Sequence, residues 1–166
     1  MNVGTLISRA KSGLNKNTRY QSPGTTPPID AVTWPSSGSR IDCSGFIAWC
    51  LRISRKVNHP RYLQVNGGWF ETTAIHADIA NSWGFFEQLS IPRVGAFLVY
   101  PDHDSHDGHI GVVTAVNGAA GINGVSSIIH CSLGAWSTHQ DAIMETPPTP
   151  WLHQTNSLIG WHTGIA

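Results

Sequence analysis

The strongest pattern in this sequence spans residues 42–51, Asp-Cys-Ser-Gly-Phe-Ile-Ala-Trp-Cys-Leu. Its apolar residues and cysteines recur every three to four positions and the series continues to Val57, which is typical of a helix with one buried face. Asp42 is a favourable N-cap residue, so Cys43 is predicted to lie in the first turn. Free backbone N–H groups and the helix dipole favour a thiolate there. The pattern therefore predicts a reactive cysteine, with a buried structural cysteine as the alternative.

A histidine that could serve this cysteine as a base stands at the head of a β-branched run. His109 begins residues 109–116, which read as a strand, and further strands are predicted over 94–100 and 125–131. If 109–116 and 123–130 form a hairpin, His109 lies directly opposite His130, and opposed side chains share a face. His130 would then orient His109 while the other ring nitrogen of His109 meets Cys43.

Helical patterns come mostly before these strands. A short amphipathic helix is predicted from residue 3 to near Gly13, and a second over residues 66–83, ending at Gly84 and carrying His76 as a structural histidine. The final apolar run, 158–161, predicts an edge strand. Helices followed by antiparallel strands predict an α+β fold.

These motifs together resemble the NlpC/P60 cysteine peptidases that cut peptidoglycan. The similarity lies in Asp-Cys-Ser-Gly before an apolar helix, in His-Ile-Gly-Val-Val at the start of a strand, in an upstream tyrosine at position 20, and in the strands 91–100 and 128–130. It implies a papain-like fold with N-terminal helices packed on an antiparallel sheet. We expect one catalytic domain over residues 1–166.

The resemblance also implies roles at the site. Cys43 would be the nucleophile, His109 the general base and His130 the residue that orients it. No cofactor and no metal would be required.

Three further residues receive roles from the same resemblance. Tyr20 would offer its hydroxyl to the oxyanion, the alternative being a tyrosine packed at a loop edge. Asp42 and Ser44 would contact the amino group of a stem peptide, the alternative being helix capping. Residues 20–41, rich in Pro, Gly, Ser and Thr, are predicted to form a wall of the substrate groove.

The implied substrate is the peptidoglycan stem peptide. Both the bond next to D-glutamate and the bond between muramic acid and L-alanine stay open, because Ala96 stands where many relatives carry Asp. Small members of the group include antibacterial amidases of type VI secretion, which would require a cognate immunity protein, and phage lysins. The alternatives are a papain-like acyltransferase, disfavoured because permuted acyltransferases place the histidine before the cysteine, and a metal- or peptide-binding module without catalysis.

Composition excludes other classes of partner. Ten basic residues balance ten acidic ones and only 12% of residues are charged, so no nucleic-acid partner is expected. The basic cluster at 52–56 is predicted to lie late in the helix that begins at Cys43, on an exposed face. The N-terminus lacks the apolar core of a signal peptide and no apolar run reaches 18 residues, which predicts no membrane insertion. We expect synthesis in the cytoplasm and export to the periplasm or cell wall.

Two features carry competing chemistry. Residues 101–109 hold three histidines and three aspartates, and a polar loop leading into the strand of His109 is favoured over a zinc site because the spacing matches no helix-borne ligand motif. Among the cysteines, Cys43 and Cys50 are about 10 Å apart along a helix, too far for a disulfide. A bond between Cys50 and Cys131 stays open.

Overall fold

A computed structural model describes residues 1–22, 26–32, 34–104 and 106–166. The helices are α1 (Val3–Ser12), α2 (Cys43–Leu51), α3 (Pro60–Asn66), α4 (Thr72–Asn81), α5 (Leu133–His139) and α6 (Thr149–Leu152). The strands are β1 (Arg19–Tyr20), β2 (Arg40–Ile41), β3 (Phe86–Gln88), β4 (Phe97–Tyr100), β5 (His109–Val116), β6 (Val125–Cys131), β7 (Ile143–Thr146) and β8 (Leu158–His162).

The main sheet has six strands in the order β3-β8-β4-β5-β6-β7, and every neighbouring pair is antiparallel. Helices α1, α2 and α4 lie against it, with α2 packed on β5 and β6. One continuous cluster of buried apolar side chains fills the space between them. The predicted α+β class, with N-terminal helices on an antiparallel sheet, is confirmed.

Helix α2 begins where the sequence predicts. The Asp42 carboxylate accepts the backbone N–H of Gly45 at 2.7 Å, which caps the helix and leaves Cys43 as its first residue. The helix ends at Leu51 rather than continuing toward Val57, because Arg52 takes a left-handed conformation with φ of 59°. All nine helical residues are buried, so α2 is a central helix and not a surface helix with one buried face.

The helix predicted over residues 66–83 is wrong in its extent. Gly67, with φ of 66°, ends α3. A turn at residues 67–68 and a β-bridge between Trp69 and Lys56 separate α3 from α4. Helix α4 begins after Glu71, whose carboxylate accepts the backbone N–H groups of Thr73 and Ala74. His76 makes the expected structural contact, a 2.8 Å hydrogen bond to the carbonyl of Asn156.

The C-terminal strand differs from its prediction as well. Strand β8 lies between β3 and β4 inside the sheet, and the edges are β3 and β7. Gly160 lets β8 approach α4 closely, because an added Cβ there would collide with Ile79. Within the described ranges, no helix has the length and apolar character needed to cross a membrane.

Candidate active site

Cys43 lies at the N-terminus of α2, against the first residues of β5. Its Sγ is 3.9 Å from the carbonyl oxygen of Gly108, and the backbone N–H of Ile110 also faces the sulfur. These two contacts come from the residues on either side of His109. The cysteine side chain is therefore held beside the backbone of the histidine predicted to serve it, with 5% of its surface exposed.

The two predicted histidines form a direct pair. His109 Nε2 and His130 Nδ1 are 2.7 Å apart, and the two rings are nearly perpendicular at 86°. Both side chains are buried. This contact leaves Nδ1 of His109 as the ring nitrogen not used by the pair.

The register that brings the histidines together differs from the predicted one. Residue 130 pairs with Gly111, and His109 pairs with Tyr100 on the other neighbouring strand. The predicted direct opposition of His109 and His130 is therefore wrong by two residues. A shift of two keeps both side chains on the same face of the sheet, so they meet diagonally.

The C-terminal part of the chain completes the surroundings of the pair. His130 Nε2 lies 3.0 Å from the hydroxyl of Thr146 on β7. The fully buried ring of Trp151 stacks on His109, with centroids 4.9 Å apart and planes at 24°, and meets His130 edge-on. The sequence analysis assigned neither residue to the site, because nothing in the local sequence relates Thr146 or the tail that contains Trp151 to the histidines.

Burial sets the protonation states. Burial raises the pKa of the Cys43 thiol to about 12, and the nearby Asp42 carboxylate is the second cause of this increase. Burial also lowers the pKa of His109, with His130 as the second cause, and lowers the pKa of His130. These pKa shifts favour a neutral thiol and neutral imidazoles in the resting site. This opposes the predicted thiolate, because desolvation outweighs the favourable helix N-terminus.

Asp42 is engaged by a residue that the sequence placed elsewhere. Arg55 is fully buried and donates to both carboxylate oxygens of Asp42, at 2.5 and 3.0 Å. The prediction that residues 52–56 lie on an exposed helical face is therefore wrong for Arg55, since α2 has already ended and the chain turns back. The Ser44 hydroxyl lies 3.5 Å from the same carboxylate.

The short parallel pair of strands β1 and β2 places Tyr20 beside the start of α2. It is the register partner of Ile41. It lines two pockets that also share Asp107 and Gly108 and that together form the cleft. One pocket includes Cys43 and Ser44, whereas the other includes the two histidines and the exposed side chain of Leu133. Ser22 also lines the cleft, and residues 23–25 and 33 of the predicted wall lie outside the described residues.

The polar segment before β5, residues 101–108, is a loop held by hydrogen bonds to Asp102. Asp102 accepts the backbone N–H of Gly108 at 2.5 Å and the hydroxyl of Thr72 at 3.1 Å, which fixes Gly108 against Cys43. Ser105 of this loop lies outside the described residues. In the part of the chain that the structure does describe, no group of three His, Cys, Asp or Glu side chains could hold a metal ion.

All three cysteines are free and buried. Cys131 donates to the carbonyl of Ile41 and faces away from the histidine pair. The disulfide between Cys50 and Cys131 is therefore not formed in this structure.

A cysteine at a helix N-terminus beside a strand-borne histidine, which a third polar residue contacts, is the arrangement of papain-like cysteine hydrolases. The comparison with protein families agrees, since residues 33–128 match the CHAP domain. The chain belongs to the CHAP domain family, a papain-like group found among hydrolases related to NlpC/P60 that act on peptidoglycan. Among curated proteins, none matches the chain significantly.

Proposed function

We propose that this protein is a cysteine hydrolase that cleaves an amide bond of bacterial peptidoglycan. The observation that carries the proposal is the position of Cys43, at the start of α2 and between Gly108 and Ile110, next to the buried pair of His109 and His130. Membership of the CHAP family supports peptidoglycan as the substrate, since these domains are typically hydrolases of that polymer.

The chemistry follows from the neutral resting state. As Cys43 Sγ attacks the amide carbonyl carbon, His109 takes the thiol proton, so that no free thiolate has to accumulate. The backbone N–H of Cys43 and the Tyr20 hydroxyl donate to the oxyanion of the tetrahedral intermediate. His109 then gives its proton to the leaving amine, the C–N bond breaks, and a thioester remains on Cys43. Water, deprotonated by His109, hydrolyses the thioester and restores the thiol.

The two flanking residues receive different roles. Because Arg55 already pairs with the Asp42 carboxylate, we assign Asp42 to holding the helix start and not to the substrate. Ser44 and the exposed Asp107 line the pocket that contains Cys43, where a hydroxyl and a carboxylate suit the amino group of a stem peptide.

The bond cut is proposed as one of two: the stem-peptide bond next to D-glutamate, or the bond between muramic acid and L-alanine. Either activity suits an antibacterial amidase effector of type VI secretion or a lysin, acting in the periplasm or cell wall. An effector would have a cognate immunity protein covering the cleft around Cys43.

Digestion of purified peptidoglycan tests the proposal. Walls from Gram-negative and Gram-positive bacteria are incubated with wild-type protein, with Cys43→Ala and with the matched control Cys50→Ala, and the released fragments are identified by mass spectrometry. We expect the wild type and Cys50→Ala to release fragments. Release by Cys43→Ala should be slower by about 1000-fold or more, because removal of a catalytic nucleophile typically costs at least this much rate. The fragment masses identify the bond. Equal release by Cys43→Ala would refute the cysteine mechanism, and binding to walls without any release would favour a non-catalytic binding module.

A further inference from the structure

We propose that Thr146 is a positioning residue that fixes the tautomers of both histidines, so that His109 offers an unprotonated Nδ1 to Cys43. This inference deepens the proposed function and rests on it for its catalytic meaning. The geometry comes from β7 and from the residue that follows it. Both lie beyond residues 33–128, the part of the chain that matches the family.

Four groups form one chain of hydrogen bonds. His109 Nε2 and His130 Nδ1 are 2.7 Å apart, His130 Nε2 and the Thr146 Oγ1 are 3.0 Å apart, and the Thr146 hydroxyl donates to the carbonyl of Pro147 at 3.0 Å. Each neutral imidazole has one donor nitrogen and one acceptor nitrogen, and a hydroxyl has one proton. The direction of the last bond therefore determines the direction of all the others.

The Pro147 carbonyl sets that direction. A carbonyl oxygen only accepts, so the Thr146 proton must point toward it. The hydroxyl oxygen then accepts from His130 Nε2–H, which leaves His130 Nδ1 unprotonated. His130 Nδ1 in turn accepts from His109 Nε2–H, and the lone pair of His109 lies on Nδ1.

The opposite direction is unfavourable. If Thr146 donated to His130, its oxygen would face the Pro147 carbonyl oxygen at 3.0 Å with no proton between them. The same reversal would place the proton of His109 on Nδ1, and that nitrogen would be unable to take the proton of Cys43. The orientation of the Thr146 hydroxyl therefore determines whether His109 can act as the base for Cys43.

The surroundings keep the chain of bonds intact. Both histidines are buried, and Trp151 covers His109 by stacking on it. Water competes poorly for the ring nitrogens in such a site, and hydrogen bonds to buried groups are stronger there. The neutral state preserves this arrangement, because an added proton would make both nitrogens of one imidazole donors.

The test compares Thr146→Val, which keeps the shape of the side chain but cannot hydrogen-bond, with Thr146→Ser, which restores the hydroxyl. The matched control is Thr114→Val on β5, because Thr114 bonds Glu145, the neighbour of Thr146, and lies outside the histidine pair. Two quantities are measured on each folded protein: the tautomer of each histidine by ¹⁵N NMR of the imidazole nitrogens, and kcat and KM for release of muropeptides.

We expect wild-type protein to show a protonated Nε2 and an unprotonated Nδ1 on His109, and Thr146→Val to show a mixture of tautomers. We expect kcat to fall about 10-fold to 100-fold in Thr146→Val with KM nearly unchanged, the range typical for loss of a residue that orients a metal-ligating histidine. Thr146→Ser should return both quantities toward wild type, and Thr114→Val should change neither.

The proposal is overturned if His109 keeps the same tautomer in Thr146→Val, or if wild-type His109 carries its proton on Nδ1. The NMR readout needs no substrate, so it separates this inference from the proposed function. Absence of hydrolysis by wild-type protein, together with a tautomer change in Thr146→Val, would refute the hydrolase and keep the positioning role. If Thr146→Val does not fold, Thr146→Ala gives the same NMR comparison.

Discussion

At the scale of single residues, Gly111 permits the histidine pair. It lies opposite His130 in the pairing of β5 with β6. A Cβ added at Gly111 would lie 2.8 Å from two side-chain carbons of Ile128 and 3.0 Å from Cβ of His130, closer than ordinary packing allows. The bare backbone therefore leaves room for His130 to approach His109 diagonally.

Substitution of Gly111 by alanine tests this role. We expect Gly111→Ala to displace His130, to lower kcat by about 10-fold or more through the misplaced histidine, and to lower the free energy of unfolding by about 1–3 kcal/mol through overpacking. Muropeptide release and urea denaturation measure the two effects.

Gly4→Ala is the control, because that glycine lies in α1 with only an ordinary contact at 3.5 Å. Its stability should stay equal or rise by up to about 1 kcal/mol. Wild-type kcat in Gly111→Ala would contradict the account.

At the scale of elements, the start of α2 is held by a buried charge pair. Asp42 caps the helix through Gly45 N–H and pairs with Arg55, whose guanidinium also lies over the ring of Trp69 at 4.6 Å. A side chain at Gly45 would collide with Arg55 Nη1, so the glycine after the nucleophile leaves space for the pair. The position of Cys43 thus depends on a contact between residues 13 apart along the chain.

Removal of the arginine should therefore destabilise the protein strongly. Arg55→Met removes the arginine that pairs with the buried Asp42 carboxylate, and we expect the free energy of unfolding to fall by about 3–5 kcal/mol. Arg52→Met is the matched control, because Arg52 pairs with Asp30 at 2.6 Å with half or more of each side chain exposed. Its effect should be below about 1 kcal/mol. Urea denaturation measures both variants, and equal effects would show that the buried pair does not hold the start of α2.

At the scale of the whole molecule, local sequence patterns predict the features that depend on neighbouring residues and fail for those that depend on tertiary contacts. The start of α2 and the limits of β5 and β6 depend on neighbouring residues, such as Asp42 before an apolar helix and the β-branched run after His109, so the sequence predicts them. The fold class follows from the order of these elements.

Features that depend on distant parts of the chain were not predictable from local patterns. The place of β8 inside the sheet, the two-residue shift between β5 and β6, and the return of Arg55 to Asp42 all come from tertiary contacts. Thr146 and Trp151 reach the histidines from β7 and α6, two elements that the sequence did not reveal. Of the three predicted catalytic residues, His109 and His130 are in direct contact and Cys43 lies against the residues on either side of His109. The contacts that support them depend on the folded chain.

The central claim is that Cys43 performs the chemistry, and a titration with iodoacetamide tests it most directly. The protein is alkylated to different extents, and each sample is analysed twice: by peptide mass mapping of all three cysteines and by its rate of muropeptide release. Cys43 lines the cleft whereas Cys50 and Cys131 are fully buried, so we expect Cys43 to be modified first, slowly at neutral pH because its pKa is raised. The account predicts that activity falls in proportion to the modified fraction of Cys43. Full modification of Cys43 with activity retained would contradict it.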